Sequence, residues 1–140
     1  MRTLVLLSGF LFFVLITNAQ TVIEMTHPGD ANLVLLEVDD ISKADIAVYK
    51  TDNKAEYEEW DCKWKFKTWG FSNFSVYLTN DTKDPKLLDE ETGIQHVFHG
   101  KIYFTDDIAQ CGYKTEGFML EGVLRVEANN NSDKNKKDKK

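Results

Sequence analysis

The sequence predicts a mainly β fold: a compact single domain of about seven short strands with internal repeats. Three observations lead there. A short pattern recurs: Ile46-Ala47-Val48-Tyr49-Lys50-Thr51-Asp52, Phe74-Ser75-Val76-Tyr77-Leu78-Thr79-Asn80 and Gly100-Lys101-Ile102-Tyr103-Phe104-Thr105-Asp106 share a β-branched residue, Tyr, any residue, Thr, then Asp or Asn. The tyrosines stand 28 and 26 residues apart. Second, Cys62-Lys63-Trp64-Lys65-Phe66-Lys67 alternates apolar with Lys, the period of a half-buried strand. Third, 140 residues that are 42% hydrophobic and 29% charged, with two prolines and two cysteines, suit one globular domain. The same composition excludes a disordered chain, a collagen, a coiled coil and a disulfide-dense miniprotein.

Taken in chain order, a strand is expected at Thr21–Met25, where β-branched residues cluster. Leu33–Asp39 (LVLLEVD) follows as a degenerate copy of the repeat without its Tyr. The first full copy places Val48 and Lys50 on one face and Tyr49 and Thr51 on the other. Its terminal Asp or Asn ends the strand, because that side chain bonds nearby backbone N–H groups and favours a turn. Lys63–Thr68 is a strand with Cys62, Trp64 and Phe66 inward, and Val123–Val126 is the last strand expected. Helical signals are sparse. Lys54–Trp60 and Lys83–Glu91 each suit a turn or two, with Pro85 fitting a first-turn position.

The two ends stand apart from this domain. Arg2, the apolar run Leu4–Ile16 and the small residue Ala19 predict a secretory signal peptide over 1–19, cut between Ala19 and Gln20. About 13 apolar residues fall short of the roughly 20 that span a bilayer. Gln20 in place of Cys after the cut argues against a bacterial lipid anchor. Residues 129–140 (NNNSDKNKKDKK) hold no apolar side chain and are expected to be a disordered Lys-rich tail. Such a tail could touch anionic surfaces, or simply keep the chain soluble. The β-rich domain is therefore 20–128, and it carries 11 basic against 21 acidic residues, a net charge of −10. That charge repels phosphate backbones and disfavours nucleic-acid binding by the core.

The ordered motifs resemble a small family of secreted bacterial proteins. Ala44 to Asp52, then Trp64-Lys65-Phe66, then Phe74 to Thr79 are similar to the septoil-knot domain family, and Lys101 to Asp106 with Cys111-Gly112-Tyr113-Lys114 resemble its closing motif. The resemblance covers roughly Leu33 to Lys114 and lies in the order of the motifs. It implies a compact β fold whose chain winds into a deep seven-crossing knot. It brings no catalytic residues with it. Two segments depart from the pattern: Asp84–Phe98 looks like an insertion, and residues 115–128 add a strand beyond the closing motif.

Candidate sites are few. Cys62 and Cys111 are the only cysteines, and in an oxidising compartment a disulfide between them is favoured. Closing a loop of about 50 residues contributes about 4 kcal/mol in the chain-entropy model. Two buried thiols are the alternative; a nucleophilic thiol is disfavoured, since neither has a neighbouring His or a C-x-x-C partner. Trp60, Trp64 and Trp69 could stack a sugar, but aromatic packing in a core otherwise poor in aliphatics is the stronger reading. His96 and His99 form an H-x-x-H ahead of Asp106 and Asp107, yet strand alternation would put them on opposite faces, so no metal is expected. His27 lies in a His-Pro-Gly-Asp turn and is expected to be exposed. The acidic clusters Asp39-Asp40, Glu56–Asp61 and Asp89–Glu91 match no calcium loop, and the sequons at Asn73, Asn80 and Asn130 are treated as chance. No triad, phosphate loop or zincin motif is present, and no cofactor is expected. The sequence thus points to a non-catalytic structural or interaction protein outside the cytoplasm, with an unknown extracellular or periplasmic partner. A carbohydrate-binding module using exposed Trp side chains is the alternative.

Overall fold

The computed structural model describes residues 20–57, 62–118 and 120. The proposed signal peptide, the Lys-rich tail, the strand expected at Val123–Val126, Trp60 and Asn130 lie outside them, as does most of the Glu56–Asp61 cluster. The described residues form seven strands, β1 (Thr21–Glu24), β2 (Leu33–Glu37), β3 (Ile46–Lys50), β4 (Lys63–Lys67), β5 (Phe74–Thr79), β6 (Gly100–Thr105) and β7 (Gly112–Tyr113). One short helix, α1 (Lys54–Tyr57), falls in the first expected helical segment, and the second holds a single 3-10 turn at Pro85–Leu87.

Six of the strands close into a barrel. The order is β1-β5-β2-β6-β3-β4, and β4 pairs back onto β1, every contact being parallel. Only β7 is antiparallel, lying against the first half of β3, while β4 takes the second half. The chain travels around this ring in two interleaved passes. β1, β2 and β3 take alternate places; β4 then fills the gap between β3 and β1, β5 that between β1 and β2, and β6 that between β2 and β3.

Parallel strands that follow one another in sequence ordinarily need a dozen or more connecting residues. Here residues 25–32, 38–45 and 68–73 suffice, because the strands are short and steeply staggered. Val22 pairs with Phe74, Val76 with Leu33, Leu35 with Gly100, and Ile102 with Ile46, so the register advances by two residues per step. Each crossover grips the strand it straddles. Met25 N and Asn32 N donate to Val76 and Ser75 of β5, Val38 N and Asp45 N to Ile102 and Lys101 of β6, and Asn73 N to Thr21 of β1.

Period-two alternation fills the barrel. Val22, Leu33, Leu35, Ile46, Val48, Trp64, Phe74, Val76 and Ile102 form the buried cluster, with Phe66, Leu78 and Phe104 packed against it. Trp64 sits edge-on to Phe74 at 5.1 Å and tilted against Phe66 at 6.2 Å. One end is stoppered by the Phe118 ring, for which Gly100 makes room: a Cβ on Gly100 would lie 2.6 Å from Phe118 Cζ. Gly100 occupies an inward position of β6, so the missing side chain is what admits the ring. At the other end the Lys50 ammonium lies 3.8 Å from the Phe104 ring centroid and 5.0 Å from that of Phe66.

β2 breaks the alternation because both of its faces are covered. Leu33 to Leu36 are all buried. Val34 belongs to a second cluster outside the barrel, with Tyr77 and Leu87 and the flanking Ala31 and Phe98. The long crossover 80–99 covers that face. Tyr77 Oη donates to Asp84 at 2.5 Å, and Val34 N donates to His99 Nδ1 at 2.9 Å while His99 N returns a bond to Val34 O.

Candidate functional site

The β4–β5 crossover is the most conspicuous surface feature. β4 presents Trp64 and Phe66 toward the barrel, with Cys62 buried just before it, so its other face is the lysine row Lys63, Lys65 and Lys67. The strand then leaves the barrel at Thr68, and Trp69 and Phe71 are 81% and 97% exposed. Between them Gly70 takes φ +88, a left-handed conformation that a side chain would strain. The loop is nevertheless fastened. Lys67 Nζ donates to Phe71 O at 2.6 Å, and Thr21 N donates to Asn73 Oδ1 at 2.7 Å. Lys65, Phe66, Lys67, Thr68 and Trp69 border one shallow, open surface. Nearby, Lys65 Nζ stands 5.2 Å from the Tyr57 ring centroid.

Placement of the three tryptophans differs accordingly. Trp64 is fully buried and cannot stack a ligand, which corrects its place among the stacking candidates and follows from its inward register on β4. Trp69 is open to solvent, and Trp60 lies outside the described residues. Phe71 is the residue that sequence reasoning passed over. Its signal was the Trp-Gly-Phe run after the last Lys of an alternating strand, where the periodicity stops and nothing requires burial.

Both cysteines border the barrel core: Cys62 is buried within it and Cys111 packs against it. No disulfide joins them among the described residues, and the Cys111 thiol donates to Ile108 O at 3.0 Å. Cys62 takes φ +56, the one left-handed non-glycine among the described residues.

The histidines fall differently from the expected strand arrangement. Residues 94–99 form no strand beyond a single bridge between Gln95 and Leu88, so the two imidazoles are not split across a sheet. His96 and His99 border one groove, and His27 shares a neighbouring depression with His96. No group of three His, Cys, Asp or Glu side chains is gathered to hold a metal ion among the described residues. His99 Nδ1 accepts a backbone N–H, which uses the lone pair a metal would need.

The acidic residues mostly cap turns. Asp40 accepts from Ser42 N at 2.9 Å and Ser42 Oγ at 2.8 Å, and these bonds hold its carboxyl below the usual carboxylate range. Asp89, bonded to Thr92 and Glu91, is lowered likewise, and Asp84 is lowered chiefly by the Tyr77 hydroxyl. Burial, with help from Asp84, pushes the Tyr77 phenol up to about 12.

Fold and surface together define a small closed parallel β-barrel bearing a fastened aromatic loop beside a lysine row. The chain matches no protein-family model, no curated protein and no solved structure. No helix among the described residues is long and apolar enough to cross a membrane.

Proposed function

We propose that the chain is an exported, non-catalytic interaction domain whose contact surface is the crossover 68–73. The near-complete exposure of Trp69 and Phe71 on a fastened loop carries this reading. A single exposed apolar side chain is ordinary, but two large aromatics exposed two residues apart form the kind of apolar patch that marks an interaction surface. The barrel interior is filled by side chains, which suits a rigid mount for a surface loop. Export rests on the N-terminal pattern and is read directly from the intact mass of the protein released by its host. A chain beginning at Gln20 is expected, and a mass lighter by two hydrogens would report the Cys62–Cys111 bond, which the shared position of both cysteines at the core favours.

We further propose the deep knot that the septoil-knot resemblance implies. Two interleaved passes around one ring support it. The interaction reading is tested by following how much exported protein stays with host cells rather than in the medium. Trp69→Ala/Phe71→Ala is expected to shift it to the medium, and an unchanged distribution defeats the reading. A second reading, carbohydrate binding, is favoured by Trp69 alone. Glycans that shift the tryptophan emission of the native chain, but not of Trp69→Ala, would support it.

A further inference from the structure

Resting on the interaction-domain reading, we propose that the loop 68–73 docks on an anionic phospholipid surface, with Trp69 and Phe71 entering the headgroup region and the β4 lysines meeting the lipid charge. Four observations converge on this partner. Trp69 and Phe71 flank Gly70 at the turn of a loop, both exposed, and Trp69 borders an open surface, whereas a sugar platform needs hydrogen-bonding groups arranged around the ring. Aromatic side chains at a tip are the residues that settle at the bilayer–water boundary. Lys63, Lys65 and Lys67 lie along the strand that leads into the loop, and among the described residues Lys65 and Lys67 form no ion pair.

Charge selects the orientation. The domain 20–128 carries a net −10, so an anionic bilayer repels most of its surface and accepts it where the lysine row faces outward. The loop is fastened by Lys67 and Asn73, so little conformational freedom is lost on docking. A lone weak anchor gives only marginal membrane binding, and two signals make it stable. The tail 129–140 supplies five further lysines as the second signal.

The test is co-sedimentation of the chain from Gln20 to Lys140 with vesicles of phosphatidylcholine alone or with a quarter phosphatidylglycerol. Binding is expected only to the anionic vesicles, falling as salt rises. Trp69→Ala/Phe71→Ala is expected to weaken it by about tenfold or more, and Lys65→Glu, which leaves the Lys67–Phe71 bond in place, to weaken it as well. Both aromatics are solvent-exposed, so unchanged thermal unfolding of the aromatic variant should accompany its loss of binding. Quenching of Trp69 emission by brominated lipid, measured as the difference from Trp69→Phe, is expected in the anionic vesicles. Absence of binding to anionic vesicles at low salt overturns the proposal. So does binding that the aromatic variant leaves intact, which would assign the attraction to the tail alone. Retention on host cells that depends on Trp69 and Phe71, combined with no vesicle binding, would overturn the lipid partner and leave the interaction reading standing; independence of both assays from the two aromatics removes both.

Discussion

Trp64 is the largest side chain inside the barrel, and its indole N–H has no hydrogen-bond partner there. Its contribution is therefore volume and ring contact. Trp64→Phe is expected to cost about 1–2 kcal/mol, and Trp64→Ala about 3–5 kcal/mol, in chemical denaturation. Gly100 has the opposite role, since the side chain it lacks is replaced by Phe118. Gly100→Val forces that ring out of the barrel end and is expected to cost about 1–3 kcal/mol. A Phe118→Ala background should absorb much of that penalty, which a double-mutant cycle measures. The inward set Cys62, Trp64 and Phe66 was legible from alternation alone. The Gly100–Phe118 fit was not, because the two meet only when the chain end returns across the barrel.

At the scale of elements, three strands end by the same hydrogen bonds. After β3, β5 and β6, Thr51, Thr79 and Thr105 accept through Oγ1 from the backbone N–H two residues on, at Asn53, Asp81 and Asp107. Those three then accept from Ala55, Lys83 and Ala109. The sequence pattern placed the turn-forming Asx at Asp52, Asn80 and Asp106; the structure moves it one residue later, because the Thr hydroxyl makes the first turn. The crossover 80–99 is strapped to the barrel by Tyr77 and Asp84, and their titrations oppose in sign. Tyr77 is raised from 10.0 to about 12, so its contribution is complete below pH 10 and is lost as pH climbs toward 12. Asp84 is lowered from 3.8, so its contribution is complete above that value and is lost as pH falls through the depressed one. Tyr77→Phe should remove the alkaline loss and cost about 1.5–3 kcal/mol at neutral pH, the range for a bond to a charged group. Denaturation midpoints at pH 7 and pH 11 check both statements.

At the scale of the molecule, closure removes every strand edge from the six-stranded ring, which protects a β protein from edge-to-edge association. The same closure makes assembly non-local. Within the ring only β3 and β4 are neighbours both in sequence and in space. Loop-closure entropy must be met before most of the ladder forms, so refolding is expected to take seconds or longer. Stopped-flow tryptophan fluorescence measures it, and completion within milliseconds would contradict the proposed knot.

The sequence by itself determined where six of the strands lie and, through the period of two, which side of β4 meets the core. Tertiary structure decided that the strands run parallel, that the ring closes, that β2 is buried on both faces, that Trp64 and Trp69 part company, and that the histidines share one side of the molecule. The physical reason is that alternation is a property of a single strand. The backbone ladder that selects neighbours and direction is nearly indifferent to side chains, and it is settled only when distant segments meet.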